Sequence, residues 1–357
     1  MAEALVIGGG PAGSAAAITL ARAGRRVTLV EREAASREKV CGEFLGQDAA
    51  QALATLGIDL VALGAVPIAN ARVAHRQGAA GFALPFAAWG LPRRVMDEAL
   101  LAEAARAGAT VLRGEPVRDA GRDGDDWRVR LADGSVLRAP HCLLATGKHA
   151  LRGFTREGRA HWIGAKLHLR LRGALDSVTL LPCAGGYAGL QPGPDGIANL
   201  CAALTDAQVA RDADVFMAHV AAGSPLAAAL LAGAEPTMTR PLTIARVPYG
   251  YLHRDPADAD PGLWRLGDQF SVIPSFCGDG MAMAMTGGMA AARAILDGEA
   301  APAFHARWRA RLRPAMRVAG AASFVMHRAP RVFSATVAVA PPVARLVARR
   351  TRVTSTG

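Results

Sequence analysis

The chain has 357 residues, 51% of them hydrophobic, a formal net charge of +11 and five cysteines. Its length exceeds one typical domain, and it has no uninterrupted apolar run of about 18 residues that would span a membrane. The cysteines (Cys41, Cys142, Cys183, Cys201, Cys277) are odd in number and scattered without a C-x-x-C pair. That speaks against a zinc site or a disulfide framework and for reduced thiols in a cytoplasmic protein.

The first stretch, Ala4 to Glu31, reads as a short apolar strand (Ala4 to Ile7), the loop Gly8-Gly9-Gly10-Pro11-Ala12-Gly13, an Ala-rich helix to Arg22 and a second strand, Val27 to Val30. This is G-x-G-x-x-G with a strand before it, a helix after it and an acid about twenty residues on. Gly8 permits the tight turn, Gly10 lets the backbone approach a pyrophosphate, and Gly13 lets helix and strand pack closely. Free N–H groups at the helix start face the phosphates, and Glu31 accepts from ribose hydroxyls. The stretch predicts a bound dinucleotide.

Residues 33–40 form a polar loop leading into Lys39-Val40-Cys41-Gly42-Glu43-Phe44-Leu45-Gly46, after which a helical pattern begins near Gln47 and stops at Gly57. Gly42 would allow close approach of a ring system and Cys41 would touch it; spacing alone equally allows a loop glycine beside a buried cysteine. Val66 to Pro85 reads as a hairpin with turns at Gly78 and Gly81. Leu91-Pro92-Arg93-Arg94-Val95-Met96-Asp97 opens a helix closed by Gly108. A strand at Thr110 to Leu112 and a hairpin at Trp127 to Leu131 and Val136 to Arg138 come next. The apolar strand His141 to Leu144 ends at Ala145-Thr146-Gly147, which suits the carboxyl edge where ligands bind in doubly wound sheets.

From about Arg152 to Trp264 the period changes to two, clearest in Ala165 to Leu171. Further strands are expected at Val178 to Leu181, Gly186 to Leu190, Ile197 to Ala202 and Leu242 to Val247, with helices at Ala207 to Ala221 and Pro225 to Leu231. His168 is expected as a strand-face residue. Gly262 to Asp268 is a short strand ending in Gly-Asp, and Gly278-Asp279-Gly280-Met281 starts an alanine-rich helix to about Leu296. Asp268 would hold ribityl or ribose hydroxyls. Two glycine-rich helix starts some 270 residues apart, gripping one long cofactor, fit FAD better than NAD.

GGGPAG with Glu31, the RRVMD helix start and GDQFSVIPSFCGDGMAMA together resemble flavoproteins of the para-hydroxybenzoate-hydroxylase fold. KVCGEFLG is similar to the Cys-Gly segment of their geranylgeranyl-reductase-like branch. The fold implied is α/β: a glutathione-reductase-type Rossmann FAD domain interleaved with a mixed β-sheet substrate domain, then a C-terminal helical segment. Residues 1–65, 91–152 and 263–299 would form the FAD domain. The hairpin 66–90 and residues 153–262 would form the substrate domain, and 300–357 the basic helices.

The resemblance implies FAD with Gly8, Gly10, Pro11, Ala12 and Gly13 at its pyrophosphate and Glu31 with Arg32 at the ribose. Arg93, or its neighbour Arg94, would lie near the phosphates and Val117 beside the adenine. Thr146, Gly147 and Asp268 would lie along the pyrophosphate or ribityl, and Gly278, Gly280 and Met281 under the isoalloxazine. Cys41 and Gly42 would border flavin and substrate.

Two departures matter. Thr146 stands where aromatic hydroxylases carry an Asp, although Lys148 is placed to meet nicotinamide phosphates. Tyr187-Ala188-Gly189-Leu190-Gln191-Pro192 keeps the Tyr and Pro of the prenyl-reductase tunnel motif but has Gly189 and Gln191 for its Trp and Phe. Losing two rings widens the pocket and adds a polar group.

Two chemistries stay open. One is an NAD(P)H-driven monooxygenase hydroxylating or epoxidising a hydrophobic, aromatic or polyketide-like molecule. The other is a reductase or dehydrogenase of a carbon–carbon double bond, with Cys41 or Tyr187 on the proton path. A third reading is a non-catalytic flavin-binding partner. The fold at large favours monooxygenation. No metal site is expected.

No Asp or Glu follows Glu299, while eleven arginines run from Arg307 to Arg352, so the tail carries the whole charge excess. Aromatics and basic residues are not interleaved, which excludes nucleic acid. The tail is expected to be helical, broken at Pro314 and Pro330, and to cover the back of the substrate domain. Its basic surface would face an anionic membrane or an acidic carrier protein, or simply water. A cytoplasmic protein, peripheral at the membrane if the tail docks there, is the expectation.

Overall fold

Ala4–Ile7 (β1) is buried along its whole length, and in the computed structural model it lies at the centre of a five-stranded sheet. The structure describes residues 2–75, 78–156 and 161–352. The glycine loop after β1 leads into α1 (Pro11–Arg22), followed by β2 (Val27–Glu31), a short β3 (Phe44–Gly46) and α2 (Gln47–Thr55). A long hairpin, β4 (Val66–His75) and β5 (Gly78–Gly90), then α3 (Arg93–Arg106) and β6 (Thr110–Arg113) come next. β7 (Val117–Asp123), β8 (Asp126–Leu131) and β9 (Val136–Ala139) make a three-stranded antiparallel sheet, and β10 (His141–Leu144) returns to β1.

The second half opens with β11 (Trp162–Arg170), β12 (Ser177–Cys183), β13 (Gly186–Pro192) and β14 (Ile197–Leu204). The helices α4 (Ala213–Ala221) and α5 (Pro225–Leu231) and the strands β15 (Glu235–Pro236), β16 (Leu242–Val247) and β17 (Leu263–Arg265) follow. Four helices finish the described residues: α6 (Gly280–Leu296), α7 (Ala301–Arg328), α8 (Pro330–Val339) and α9 (Pro341–Arg350).

The first sheet has the order β17-β10-β1-β2-β6, every pair parallel, so all its strands end on one edge. The glycine loop, Thr146-Gly147 and Gly267-Asp268 all lie just past those ends, as ligand-binding loops do in open α/β sheets. The second sheet is mixed and nine-stranded; β4 pairs in parallel with β12, which joins the early hairpin to the later strands. α1 is buried on nearly every face because it is sandwiched between the first sheet and α6. A Cβ on Gly288 would lie 2.2 Å from the Ala12 carbonyl oxygen. The two helices therefore approach closely only because both carry small residues there, and the alanine and glycine in α1 and α6 make this contact.

Several expected elements differ. Gly81 lies inside β5, and Gly78 opens that strand opposite His75, the last residue of β4. The helix expected from Ala207 splits into a single 3-10 turn, Gln208–Ala210, and α4, because the Asp212 side chain caps α4 by accepting from the N–H groups of Asp214 and Val215. The polar strand β7 shows no clean alternation in sequence and is held by pairing with β8.

Pro314 does not break the tail: α7 runs through it. The stripe Phe304, Trp308, Leu312, Met316 and Ala319 is buried against the core on both sides of it, and that packing outweighs the lost hydrogen bond. Pro330 does mark an end, since Ala329 takes a non-helical conformation before α8. Nor does the tail cover the back of the substrate sheet. α8 and α9 pack on β4 and β5, with Val337 against Val73 and Ala80, on the side that faces the first sheet.

Candidate active site

A cavity of about 1210 Å³ runs between the two sheets from the glycine loop to the tail helices. Of the residues expected at cofactor and substrate, all but Gly13 line it. A Cβ at Gly13 would sit 2.0 Å from the Gly8 carbonyl oxygen and 3.0 Å from Val6, so this glycine serves helix–strand packing and the phosphates are left to its neighbours. Gly8 has φ +108, and a Cβ there would meet the Ala145 carbonyl oxygen at 2.5 Å. The residues present fit FAD: a Cβ added at Gly42, Gly147 or Gly280 would meet no atom within 4 Å, and one at Gly10 only Arg93 Nη2 at 3.9 Å. Backbone is thus bared toward the cavity where the two ends of the cofactor would lie.

Glu31 closes the first end. Its Oε2 accepts from the Gly9 N–H at 2.7 Å and its Oε1 from the Glu33 N–H at 3.1 Å, which leaves second lone pairs for ribose hydroxyls. Arg32 lies at the rim, 2.9 Å from the His149 ring, and Val117 lines the wall at the start of β7. Arg93, not Arg94, faces the cavity. It makes a two-pronged ion pair with Asp97 (2.9 Å and 2.9 Å), whereas Arg94 is largely exposed. Burial works against the Arg93 charge, but Asp97 and the Cys41 thiol beside it hold the guanidinium above its ordinary value.

The loops after β10 and β17 are stitched together by residues that sequence reasoning missed. Arg156 donates to the carbonyls of Gly147, Lys148 and Asp268, and Gln269 donates to those of Gly147 and His149. Lys148 Nζ lies 3.4 Å from Asp268, whose charge raises the Lys148 pKa. Lys148 therefore lines the cavity already engaged by Asp268.

Cys41 to Glu43 forms the junction between the sheets. Cys41 Sγ lies 3.8 Å from Met281 Sδ and accepts from the Glu43 N–H, while Asn199 of β14 donates to the Cys41 carbonyl at 3.0 Å. Glu43 adopts φ 58, in the left-handed region, and this turn sends its carboxylate into the protein. There it accepts from Lys166 Nζ (2.5 Å), the Arg93 N–H (2.8 Å) and His168 Nε2 (3.0 Å). Burial pushes Glu43 up, but His168 and Lys166 outweigh it and hold the carboxylate below its usual range. His168 is thus more than a strand-face residue: two positions along β11 from Lys166 and on the same face, it helps clamp the Cys-Gly-Glu loop to that strand.

Tyr187 lines the cavity from β13. Its hydroxyl accepts from the Phe276 N–H at 3.0 Å and shares a hydrogen bond with Ser275 Oγ in which either oxygen can donate. Burial raises its pKa well above the ordinary value. It anchors the loop that enters α6.

Among the described residues, two clusters have metal-like composition. In the first, Glu38, Glu43 and His168 already surround the Lys166 ammonium, which supplies the positive charge a metal would bring. In the second, the Arg265 N–H donates to His305 Nε2 at 3.0 Å, so Nδ1 carries the ring proton and donates to Asp255 at 2.8 Å. A protonated nitrogen is not a metal ligand. With His253 on its other oxygen, Asp255 pins α7 to the loop before β17.

The opposite wall comes from the tail. Phe333, Val337, Val343 and Val347 line the cavity, and Arg352 enters it to meet Asp279 at the start of α6 at 2.5 Å while stacking 3.8 Å over the Phe86 ring. Burial raises Asp279 to about 7 against the pull of Arg352. A buried arginine so far beyond the last motif has no local sequence signal.

Residues 1–141 match the family model of an FAD binding domain, FAD_binding_3. The chain has the fold of FAD-dependent oxidoreductases of the para-hydroxybenzoate-hydroxylase type, and FAD is the cofactor its first sheet is built for. It is 30% identical over 204 residues to the menaquinone reductase of Mycolicibacterium smegmatis, a match that covers 47% of this chain and 48% of that protein. It is also 33% identical over 156 residues to the tRNA-modifying bifunctional protein MnmC of Chromohalobacter salexigens, 40% of this chain and 22% of that protein. The chain thus spans about half the length of the first relative and about a fifth of the second.

Among solved structures, the flavin-dependent brominase Bmp2 superposes with a TM-score of 0.81 at 19% identity, covering 100% of this chain and 94% of its own. A geranylgeranyl bacteriochlorophyll reductase-like protein of Thermoplasma acidophilum gives 0.72 at 18%, covering 99% and 93%. At such identities the likeness is one of fold.

Proposed function

We propose that this flavoprotein is an NAD(P)H-driven monooxygenase that hydroxylates or epoxidises a large lipophilic molecule of aromatic or polyketide-like character. The observation that carries this is the state of the cavity wall between the flavin motifs and the tail. Several of its polar groups are already committed, Tyr187 to Ser275, Glu43 to Lys166 and His168, and Arg352 to Asp279, while most of the remaining wall, such as Phe82, Leu180, Phe333 and Val337, is aliphatic and aromatic. FAD, when bound, supplies the redox chemistry and the activation of oxygen. The chain's own residues then have three tasks: Gly10, Gly280 and their loops hold the cofactor, the apolar walls orient the substrate, and the tail helices exclude water.

A second reading, reduction of a carbon–carbon double bond, is favoured by one observation. The Cys41 thiol lines the cavity beside Arg93, with Sγ 3.8 Å from Met281 Sδ, and would be the proton donor in that reaction. The relation to a menaquinone reductase supports it too. Substrate-dependent oxygen uptake with NADPH, run with labelled oxygen, separates the two. Incorporation of label supports monooxygenation; a product that has gained two hydrogens and no oxygen under air overturns it.

A further inference from the structure

We propose that the face made by the end of α7, by α8 and by α9 docks the protein on an anionic lipid surface, with the cavity mouth turned toward the bilayer. Among the described residues, nine large hydrophobic side chains are exposed, and six of them fall here: Phe324, Val325, Val332, Val339, Val343 and Leu346. Such clustering is unusual for a surface that faces only water. Val325, Val332 and Val343 are at once exposed and part of the cavity lining, so the cavity opens among them. Val332 and Val339 stand seven residues apart and share one face of α8; Val343 and Leu346 stand three apart and share one of α9.

Arginine surrounds this apolar patch. Arg328, Arg345, Arg349 and Arg350 are exposed, Arg328 lying over the Phe324 ring, and the chain has no carboxylate side chain after Glu299. The charge selects the occupant. A second copy would bring an equally basic, acid-free face and be repelled. An acidic carrier protein would meet the arginines but leave side chains such as Val339, 86% exposed, in water. An anionic bilayer satisfies both, its headgroups taking the arginines and its acyl boundary the valines, as for helices that lie in the interface. The ten-residue α8 and α9 are each about 15 Å long and lie on the surface; among the described residues no helix is long and apolar enough to cross a membrane. Entry of substrate from the bilayer rests on the lipophilic-substrate reading above, whereas the docking itself does not.

The test is flotation of the full-length, FAD-loaded protein with phosphatidylcholine vesicles, with and without phosphatidylglycerol. The protein is expected to float with the anionic vesicles, to float less without them, and to be released as salt rises. Arg345→Gln, Arg349→Gln and Arg350→Gln should each weaken partitioning about fivefold. The triple variant Phe324→Ser/Val339→Ser/Leu346→Ser should weaken it at constant charge, with bound flavin absorbance showing that the fold is intact. None of these six residues lines the cavity. No flotation with anionic vesicles, arginine variants that float like the parent, or capture by an acidic acyl-carrier protein in preference to vesicles would each overturn the proposal. Flotation needs no turnover, so its outcome is independent of which chemistry the flavin performs.

Discussion

Replacing Lys166 with Met removes a fully buried ammonium that lies 2.5 Å from Glu43 and 2.6 Å from Glu38. Glu43 is then left in the interior with His168 and the Arg93 N–H as its partners. Breaking a buried pair from one side costs about 3–5 kcal/mol. With an unfolding entropy of about 2.1 cal/mol/K per residue, 357 residues give about 0.75 kcal/mol/K, so the melting midpoint should fall about 4–7 °C. The double variant Glu43→Gln/Lys166→Met should recover much of that loss, because no uncompensated charge remains inside.

The pH dependence follows from the directions of the two shifts. Glu43 is depressed in the folded protein, so its contribution is present above the unfolded value of about 4.3 and fades as pH falls through the folded value. Lys166 is raised, burial opposing and Glu43 and Glu38 prevailing. Its contribution is complete below about 10.4 and fades as pH rises through the folded value. The gap in midpoint between parent and Lys166→Met should be flat across neutral pH and shrink at both extremes. Far-UV circular dichroism melts at fixed FAD concentration measure it. A variant that melts within about 1 °C of the parent at neutral pH, or a double variant no more stable than Lys166→Met, would refute the clamp.

The remaining predictions concern cofactor, chemistry and tail. Gly10→Ala should leave the melting of the FAD-free protein unchanged, since no protein atom but Arg93 Nη2 comes within 4 Å, yet weaken FAD binding at least about tenfold by flavin fluorescence. Gly13→Ala, whose Cβ strikes Gly8, should instead destabilise the FAD-free protein by an overpacking cost of about 1–3 kcal/mol, read as a lower melting midpoint. Cys41→Ser should cut kcat about a hundredfold if the thiol is a general acid in double-bond reduction, and about threefold or less if the enzyme is a monooxygenase; steady-state kinetics with NADPH decides. Arg352→Gln leaves Asp279, whose pKa burial already raises to about 7, without its guanidinium. A raised carboxyl pKa means that folding takes up a proton, and stability then falls as pH climbs from the unfolded value toward the folded one. The stability lost in this variant should therefore be larger at alkaline pH, about two units above the folded value, than about two units below it, and equal losses at both would exclude the pair.

The two ends of the FAD clamp are legible in the sequence because each depends on a local device, a strand end, glycines and a helix start, whose spacing the cofactor dictates. Position 13 shows how far that goes: a glycine is required there by the Gly8 carbonyl, and the spacing does not tell packing from phosphate contact. Glu43, Lys166 and His168 stand in two segments more than a hundred residues apart; only the seating of β11 against the Cys-Gly-Glu loop brings them together. Arg156 and Gln269 are invisible for a related reason, since they bind backbone carbonyls and need no particular neighbour in sequence.

The tail departs from its sequence pattern at Pro314 and in its placement. Its arginines make up the charge excess, but a count does not say that Arg352 turns inward while Arg345, Arg349 and Arg350 stay outside. By itself the sequence determined the parallel sheet, the cofactor and the glycine-rich loops at the sheet's carboxyl edge, because these follow from short-range geometry and from a ligand of fixed length. The tertiary structure decided what closes the cavity and what clamps the substrate sheet to the flavin end. Those are long-range contacts, made by buried charges that find their partners only once the core has assembled around them.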